Sequence, residues 1–145
     1  MYEEHMQVKD TDENHCRICE YLVKYCIRLK RAKYLCNLEN YGASTYLYDR
    51  VMEYVKETAR DEGKSFTELS TQRIARLLQQ QADAYDGWKK YDKALEALQK
   101  AKVLLEELDP ERYIPHEDNA TLKKDIATVN RRIAAMRKKV TASQS

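Results

Sequence analysis

The sequence predicts an all-α fold, a bundle of about five helices, and three observations support this. Only 3 glycines and 2 prolines occur in 145 residues, too few turn-forming residues for a many-stranded sandwich or barrel. Apolar residues recur at alternating spacings of three and four, which is the period of an amphipathic helix. Charged residues, 34% of the total, are interleaved along the chain, as expected for the solvent-facing sides of such helices. The length suits a single domain.

The first predicted helix covers about residues 12–38 and contains all four cysteines of the chain. Because the cysteines lie on one helix, we interpret them as reduced core residues and not as a disulfide framework. The apolar stripe of this helix is Ile18, Leu22, Tyr25, Leu29, Ala32 and Cys36.

The second helix follows a break at residues 40–42, and Ser44 or Thr45 is predicted to cap it. Its apolar stripe contains Leu47, Val51, Tyr54 and Thr58. Gly63 is predicted to end this helix, because glycine readily adopts the left-handed conformation that terminates helices.

The third helix is predicted from a capping box, in which Ser65 and Glu68 satisfy each other's backbone N–H groups, to about Lys89. A tight turn over residues 87–91 leads to a fourth helix, whose small alanines indicate close packing and which ends before Pro110. The last helix lies within residues 120–140. Its stripe is Leu122, Ile126, Val129, Ile133, Met136 and Val140.

These elements predict one helical domain over residues 12–140, between a flexible terminus at 1–11 and a flexible tail at 141–145. Residues 12–64 form a first helical hairpin and residues 65–140 a three-helix part.

No apolar run approaches the roughly 18 residues needed to cross a bilayer. The N-terminal residues do not resemble a signal peptide, so we expect a cytoplasmic protein, with a nuclear one as the alternative.

Catalytic and metal-binding constellations are not evident in the sequence. His15, Cys16 and Cys19 could begin a zinc site, but a second ligand pair is missing, and Cys26 lies too far along a regular helix. The three histidines lie in separate segments, and none accompanies a recognised nucleophile. We therefore predict no enzymatic activity, no metal and no cofactor.

Basic residues cluster in the first and last helices. The segment after Ala120 carries Lys123, Lys124, Arg131, Arg132, Arg137, Lys138 and Lys139 against Asp125, a charge of about +6. Such a helix can contact nucleic-acid phosphates or an acidic lipid surface. A helical nucleic-acid-binding protein is therefore the alternative function, weighed against an ordinary solvated face or contact with an acidic peptide.

The stretch 82–101, ADAYDGWKKYDKALEALQKA, resembles the helical hairpin shared by tetratricopeptide repeats and MIT (microtubule interacting and trafficking) domains. The match consists of small and aromatic residues at the hairpin's characteristic positions: Ala82, Tyr85, Tyr91, Ala94, Leu98 and Ala101. Residues Ala32, Leu35, Tyr48 and Val51 suggest a degenerate earlier copy about 50 residues away, a longer spacing than that of tetratricopeptide arrays.

The long fourth helix and the single helix after it favour the MIT-like version. That resemblance implies a groove between the fourth and fifth helices, and a partner from membrane trafficking or autophagy. The expected rim of the groove is Lys93, Gln99, Lys102, Lys124, Thr128 and Arg132. Its basic residues favour acidic partner motifs.

The sequence thus predicts a non-catalytic adaptor or scaffold domain that binds an amphipathic helix or an acidic peptide of a partner protein. Association with further copies of the same chain remains open at this stage.

Overall fold

The computed structural model describes residues 9–62, 64–116 and 119–144, with side chains from residue 19 onward except at 61–67. These residues form helices and loops without a β-strand, which confirms the predicted all-α class. The helices are α1 (Lys9–Asn37), α2 (Tyr41–Glu62), α3 (Lys64–Gly87), α4 (Tyr91–Glu106) and α5 (Leu122–Ser143).

The start of α2 differs from the prediction, because neither Ser44 nor Thr45 caps it. The Ser44 N–H already donates to the Asn40 carbonyl, so the helix begins at Tyr41. The fully buried Ser44 hydroxyl instead donates to the Ala32 carbonyl of α1 at 2.7 Å. The serine therefore joins two helices, a role that its position beside a helix break did not reveal. The predicted roles of Gly63 and of the Ser65 side chain lie outside the described residues.

The helix ends also differ slightly from the predicted limits. The α1 helix begins at Lys9, inside the segment predicted to be a flexible terminus, and α5 continues through Ser143 into the predicted tail. The α4 helix ends at Glu106, where the N–H groups of residues 107 and 108 bond to carbonyls three residues earlier. Such tightening of the last turn is common at helix termini.

Consecutive helices form the main interfaces, and α3 lies at the centre of the molecule. Besides packing on α2 and α4, α3 contacts α1, where the Arg73 guanidinium lies over the rings of Tyr21 and Tyr25. It also contacts α5, where Lys139 Nζ lies 2.8 Å from a carboxylate oxygen of Asp86. The hydrophobic core lies between these packed helices. Its largest fully buried apolar side chains are Leu77, Leu98, Leu105, Val51, Val55 and Val129.

The two helical hairpins, α1–α2 and α3–α4, have the same turn, displaced by 50 residues. The N–H groups of Leu38 and Trp88 bond four residues back, to the carbonyls of Tyr34 and Ala84. The next residue in each turn, Glu39 or Lys89, has a positive φ, of 61° and 62° respectively. The backbone therefore leaves α1 and α3 by the same path.

Burial repeats at the same spacing. Ala32 and Ala82 are fully buried where each hairpin's helices meet, and Val51 and Ala101 are fully buried on the returning helices. The two hairpins therefore match in turn geometry and in buried positions at a spacing of 50 residues. The chain is thus two copies of one helical hairpin followed by α5, which lies against the second copy.

The prediction of core cysteines is wrong for two of the residues it covered. Cys19 and Cys26 are exposed, and Cys36 is half-buried. The inner side of α1 is occupied instead by Tyr21 and Tyr25, and the Tyr21 ring stacks on Tyr54 of α2 at 5.3 Å. The buried stripe of α1 is therefore turned away from Cys19 and Cys26, while Cys36 packs against the edge of the core. The Cys16 side chain lies outside the described residues.

Two glycines near the turns provide a matched test of packing. A methyl group at Gly87 would lie 2.6 Å from Cε1 of Tyr41, whereas one at Gly42 would lie 3.5 Å from Cη2 of Trp88. We expect Gly87→Ala to lower the free energy of unfolding by about 1–3 kcal/mol, because the Tyr41 ring must move. Gly42→Ala should be neutral or stabilising by up to about 1 kcal/mol, because alanine favours a helix. Urea denaturation of both variants checks this, and equal losses would contradict it.

None of the helices in the described part of the chain combines the length and apolar character needed to span a membrane.

Candidate helix-binding groove

An open groove of about 690 Å³ runs along α3 between α2 and α4. All three helices contribute to its wall. Its lining residues are Asp49, Met52, Glu53, Lys56, Thr71, Ile74, Leu78, Gln81, Glu96, Gln99, Lys100, Val103 and Leu104.

The floor of the groove follows one stripe of α3. Thr71, Ile74, Leu78 and Gln81 alternate three and four residues apart, and a smaller adjoining cavity extends the stripe to Tyr85. At about 1.5 Å rise per residue, the stripe is about 21 Å long, or nearly four helical turns. A spacing of three and four is also the spacing with which one helix packs against another.

The α2 side of the groove is held in place by Gln81. The buried Gln81 side chain donates from Nε2 to the Thr45 carbonyl at 3.0 Å and to Asp49 Oδ1 at 2.8 Å. A buried amide with both contacts restricts the distance between α2 and α3. The groove wall is therefore rigid at this point.

The rims carry charges of both signs. On α2, Glu53 lies 3.0 Å from Arg50, and on α4, Glu96 lies 3.1 Å from Lys100. All four side chains are more than half exposed, and such surface pairs contribute about 0–1 kcal/mol each. They can therefore exchange their present partners for charges on a bound molecule at little cost.

The apolar part of the groove reaches solvent at Val103, whose side chain is 54% exposed. Met52, Ile74 and Leu78 lie below it in the lining. An apolar floor between charged rims matches the surface of an amphipathic helix, which presents apolar residues on one side and charges on its flanks.

The six residues predicted from the sequence to form a binding rim are distributed over two surfaces. Gln99 lines the α2–α3–α4 groove, and Lys93 lines its continuation beside Tyr85. These two side chains therefore face the α2 side of α4. Lys102 is half-buried on the same helix.

The other three predicted rim residues are on α5, which packs against α4. The Lys124 ammonium donates to the Asn119 carbonyl at 3.0 Å, and Thr128 Oγ1 donates to the Lys124 carbonyl at 3.0 Å. Arg132 turns to α3, where it pairs with the Asp83 carboxylate and donates to the Gln79 carbonyl. The structure therefore does not bring all six residues to one groove, and their role in binding stays a prediction.

The basic residues of α5 are likewise divided. Arg132 and Lys139 pair with Asp83 and Asp86 of α3, so they fix α5 against the second hairpin. The other basic side chains of this helix are exposed: Lys123, Lys124, Arg131, Arg137 and Lys138.

A polar cluster that sequence reasoning missed lies where the loop after α4 meets α5. The Tyr113 hydroxyl donates to the Asp125 carboxylate, and His116 Nδ1 lies 3.8 Å from the same carboxylate. Burial, followed by the bond to Asp125, raises the pKa of Tyr113 well above its usual range. The adjoining cavity of about 250 Å³ has no serine or cysteine among its lining residues. The cluster therefore connects the loop to α5.

The loop after α4 is also held by the side chain of Gln72 on α3. Its side-chain amide donates to the Ile114 carbonyl, and its carbonyl oxygen accepts the Ile114 N–H at 3.1 Å. These two hydrogen bonds to the backbone of one residue attach the loop to α3. The partners are 42 residues apart, so no local sequence pattern could have revealed them.

Within the described residues, three or more His, Cys, Asp or Glu side chains do not assemble into a group that could hold a metal ion. The side chains of His15 and Cys16 lie outside the described residues.

The fold and the groove together define the class of the chain: an all-α protein made of a duplicated helical hairpin with an open groove over its central helix. No protein-family model matches the sequence, and no curated protein or solved structure is significantly similar to it.

Proposed function

We propose that the protein is a non-catalytic interaction module that binds an amphipathic helix of a partner protein in the α2–α3–α4 groove. The observation that carries this proposal is the groove over the floor stripe of α3, which is nearly four turns long. The groove reaches solvent at Val103, while Ile74 and Leu78 are buried at its floor. A helix lying on it would place its own apolar residues between α2 and α4, as in other helix-in-groove complexes.

The charge on the rims specifies the partner further. The rims carry Asp49, Glu53 and Glu96 together with Lys56 and Lys100, so a partner helix with charges of both signs on its flanks fits best. The rim predicted from the sequence was basic and favoured acidic partner motifs, either of an amphipathic helix or of an acidic peptide. The resemblance of residues 82–101 to tetratricopeptide and MIT hairpins supports an adaptor role, and on that resemblance we place the partner in membrane trafficking or autophagy.

The test uses one residue of the groove and one matched residue outside it. Val103 lines the groove and is 54% exposed, whereas Ile114 lies in the loop after α4 and is 53% exposed. We expect Val103→Glu to weaken capture of protein partners from native lysate by about tenfold or more, because it puts a charge at the solvent-facing edge of the apolar part of the groove. Ile114→Glu should capture the same proteins as the unmodified chain.

Quantitative mass spectrometry of the captured proteins, with and without nuclease, measures this difference. Equal capture by both variants would contradict the groove. If the captured material disappears with nuclease and declines steeply with salt, the exposed basic residues of α5 bind nucleic acid and the adaptor proposal fails.

A further inference from the structure

The outer side of α1 is an apolar surface without a described neighbour. Tyr34 is 62% exposed and Ile27 46%, and Val23 and Leu38 are also more than half exposed. Single exposed apolar residues are ordinary on protein surfaces, but four along one helix indicate a contact site. We call Ile27, Arg31, Tyr34 and Leu38 the outer stripe, since they recur at helical spacing.

The duplicated hairpin shows what kind of neighbour suits the outer stripe. Fifty residues later, its four residues correspond to Leu77, Gln81 and Ala84 of α3 and to Trp88, which directly follows α3. Leu77 and Ala84 are only 1% and 0% exposed, in contrast to Ile27 and Tyr34. The side that is open on α1 is therefore closed on α3 from Leu77 to Ala84, while Trp88 beyond it is 38% exposed.

The element that closes this side of α3 is α2. Gln81 donates to Thr45 and Asp49 of α2, and the Trp88 ring lies against Gly42 at the start of α2. A helix that packed on α1 in the way that α2 packs on α3 would therefore cover the outer stripe.

The charges around the outer stripe select an acidic helix. Lys30, Arg31 and Lys33 are exposed, whereas Arg28 turns inward over the Tyr54 ring at 4.2 Å. At the position where α3 has Gln81 bonded to the Asp49 carboxylate, α1 has Arg31. An arginine there can form a charge-assisted bond to a carboxylate, which is stronger than the neutral amide bond.

We propose that the outer stripe of α1 binds an acidic amphipathic helix of a partner, in the position relative to α1 that α2 has relative to α3. A carboxylate of that helix pairs with Arg31, and its apolar residues cover Ile27, Tyr34 and Leu38. This surface is separate from the α2–α3–α4 groove, and it differs from the groove in having a basic border.

The probe for this site is a synthetic peptide with the sequence of residues 41–62. It reproduces the face that α2 presents to α3, and it carries five acidic residues against three basic ones. Titration of the labelled peptide with the whole chain, followed by fluorescence anisotropy, measures its affinity. Binding should weaken as salt is added, because the charge pairs lie at the surface.

The decisive comparison exchanges charges across the proposed pair. Arg31→Glu should weaken peptide binding by about tenfold or more, and a peptide with Asp49→Arg should bind this variant better than it binds the unmodified chain. Lys138→Glu, which makes the same charge change at an exposed position of α5, should bind as the unmodified chain does. Circular dichroism establishes that the variants are folded.

Several outcomes would overturn the proposal. The first is that the peptide does not bind, and the second is that Lys138→Glu weakens peptide binding as much as Arg31→Glu does. The third is that Val103→Glu abolishes peptide binding whereas Arg31→Glu does not, which would assign the peptide to the groove. Sedimentation showing a dimer that Ile27→Asp dissociates would assign the outer stripe to a second copy of the chain. Cosedimentation with anionic phosphatidylserine vesicles that Ile27→Asp abolishes would assign it to a membrane surface.

Discussion

Leu98→Ala is expected to lower the free energy of unfolding by about 2–5 kcal/mol, one of the two largest effects in the molecule. Leu98 is fully buried on α4 and belongs to the core cluster with Leu77 and Leu105. Truncation removes apolar contacts and leaves a cavity that rigid helices on either side cannot fill. Since α4 carries both a wall of the groove and the contact with α5, the loss should affect the whole domain cooperatively.

Denaturant unfolding followed by far-ultraviolet circular dichroism measures this loss. Val103→Ala is the control, because Val103 lies on the same helix with most of its side chain in solvent, and surface changes of this kind usually stay within about 0.5 kcal/mol. Similar destabilisation by the two substitutions would show that α4 is not packed in the way described here.

Ala82→Leu is the second substitution with a large expected effect, for the opposite reason. Ala82 and Ala94 are both fully buried, on α3 and α4 respectively, in the core shared by the second hairpin. A larger side chain there must push the helices apart, and overpacking of this kind costs about 1–3 kcal/mol and occasionally more. The cost should be high because α3 also contacts α1, α2 and α5.

The internal duplication supplies a second measurement of the same effect. Ala32→Leu, at the equivalent position of the first hairpin, should also destabilise, since Ala32 is fully buried and its carbonyl accepts the Ser44 hydroxyl. Ala134→Leu on the exposed side of α5 is the control and should be nearly neutral. Tolerance of leucine at both positions 32 and 82 would contradict close packing within the hairpins.

The two proposed binding surfaces use the duplicated hairpin differently. The groove lies over α3, where two returning helices, α2 and α4, flank the same central helix. The outer stripe lies on α1, which is packed against α2 and through Tyr21 and Tyr25 against α3, and it has no preceding hairpin among the described residues. Because the groove has mixed charges and the outer stripe a basic border, the two surfaces should select different partners.

Helical periodicity was sufficient to predict much of the architecture. The alternating three and four spacing predicted five helices within a few residues of their observed limits, and the alanines predicted the close contact in the second hairpin. The repeat of Ala32 and Val51 at Ala82 and Ala101 predicted the duplication. These features are local, or compare one segment with another, so they can be read from the order of residues.

Only the tertiary structure decided which side of each helix is covered and by what. Periodicity places Cys19 and Cys26 on a helix, but the tyrosine rings of α1 occupy its inner side and leave the cysteines exposed. Arg132, predicted from the sequence for a binding rim, pairs with a carboxylate 49 residues away in sequence, a contact that periodicity does not reveal. The groove itself requires α2 and α4 to lie on either side of α3. The sequence by itself therefore determined the helices and their duplication, whereas long-range packing determined the surfaces that remain open for binding.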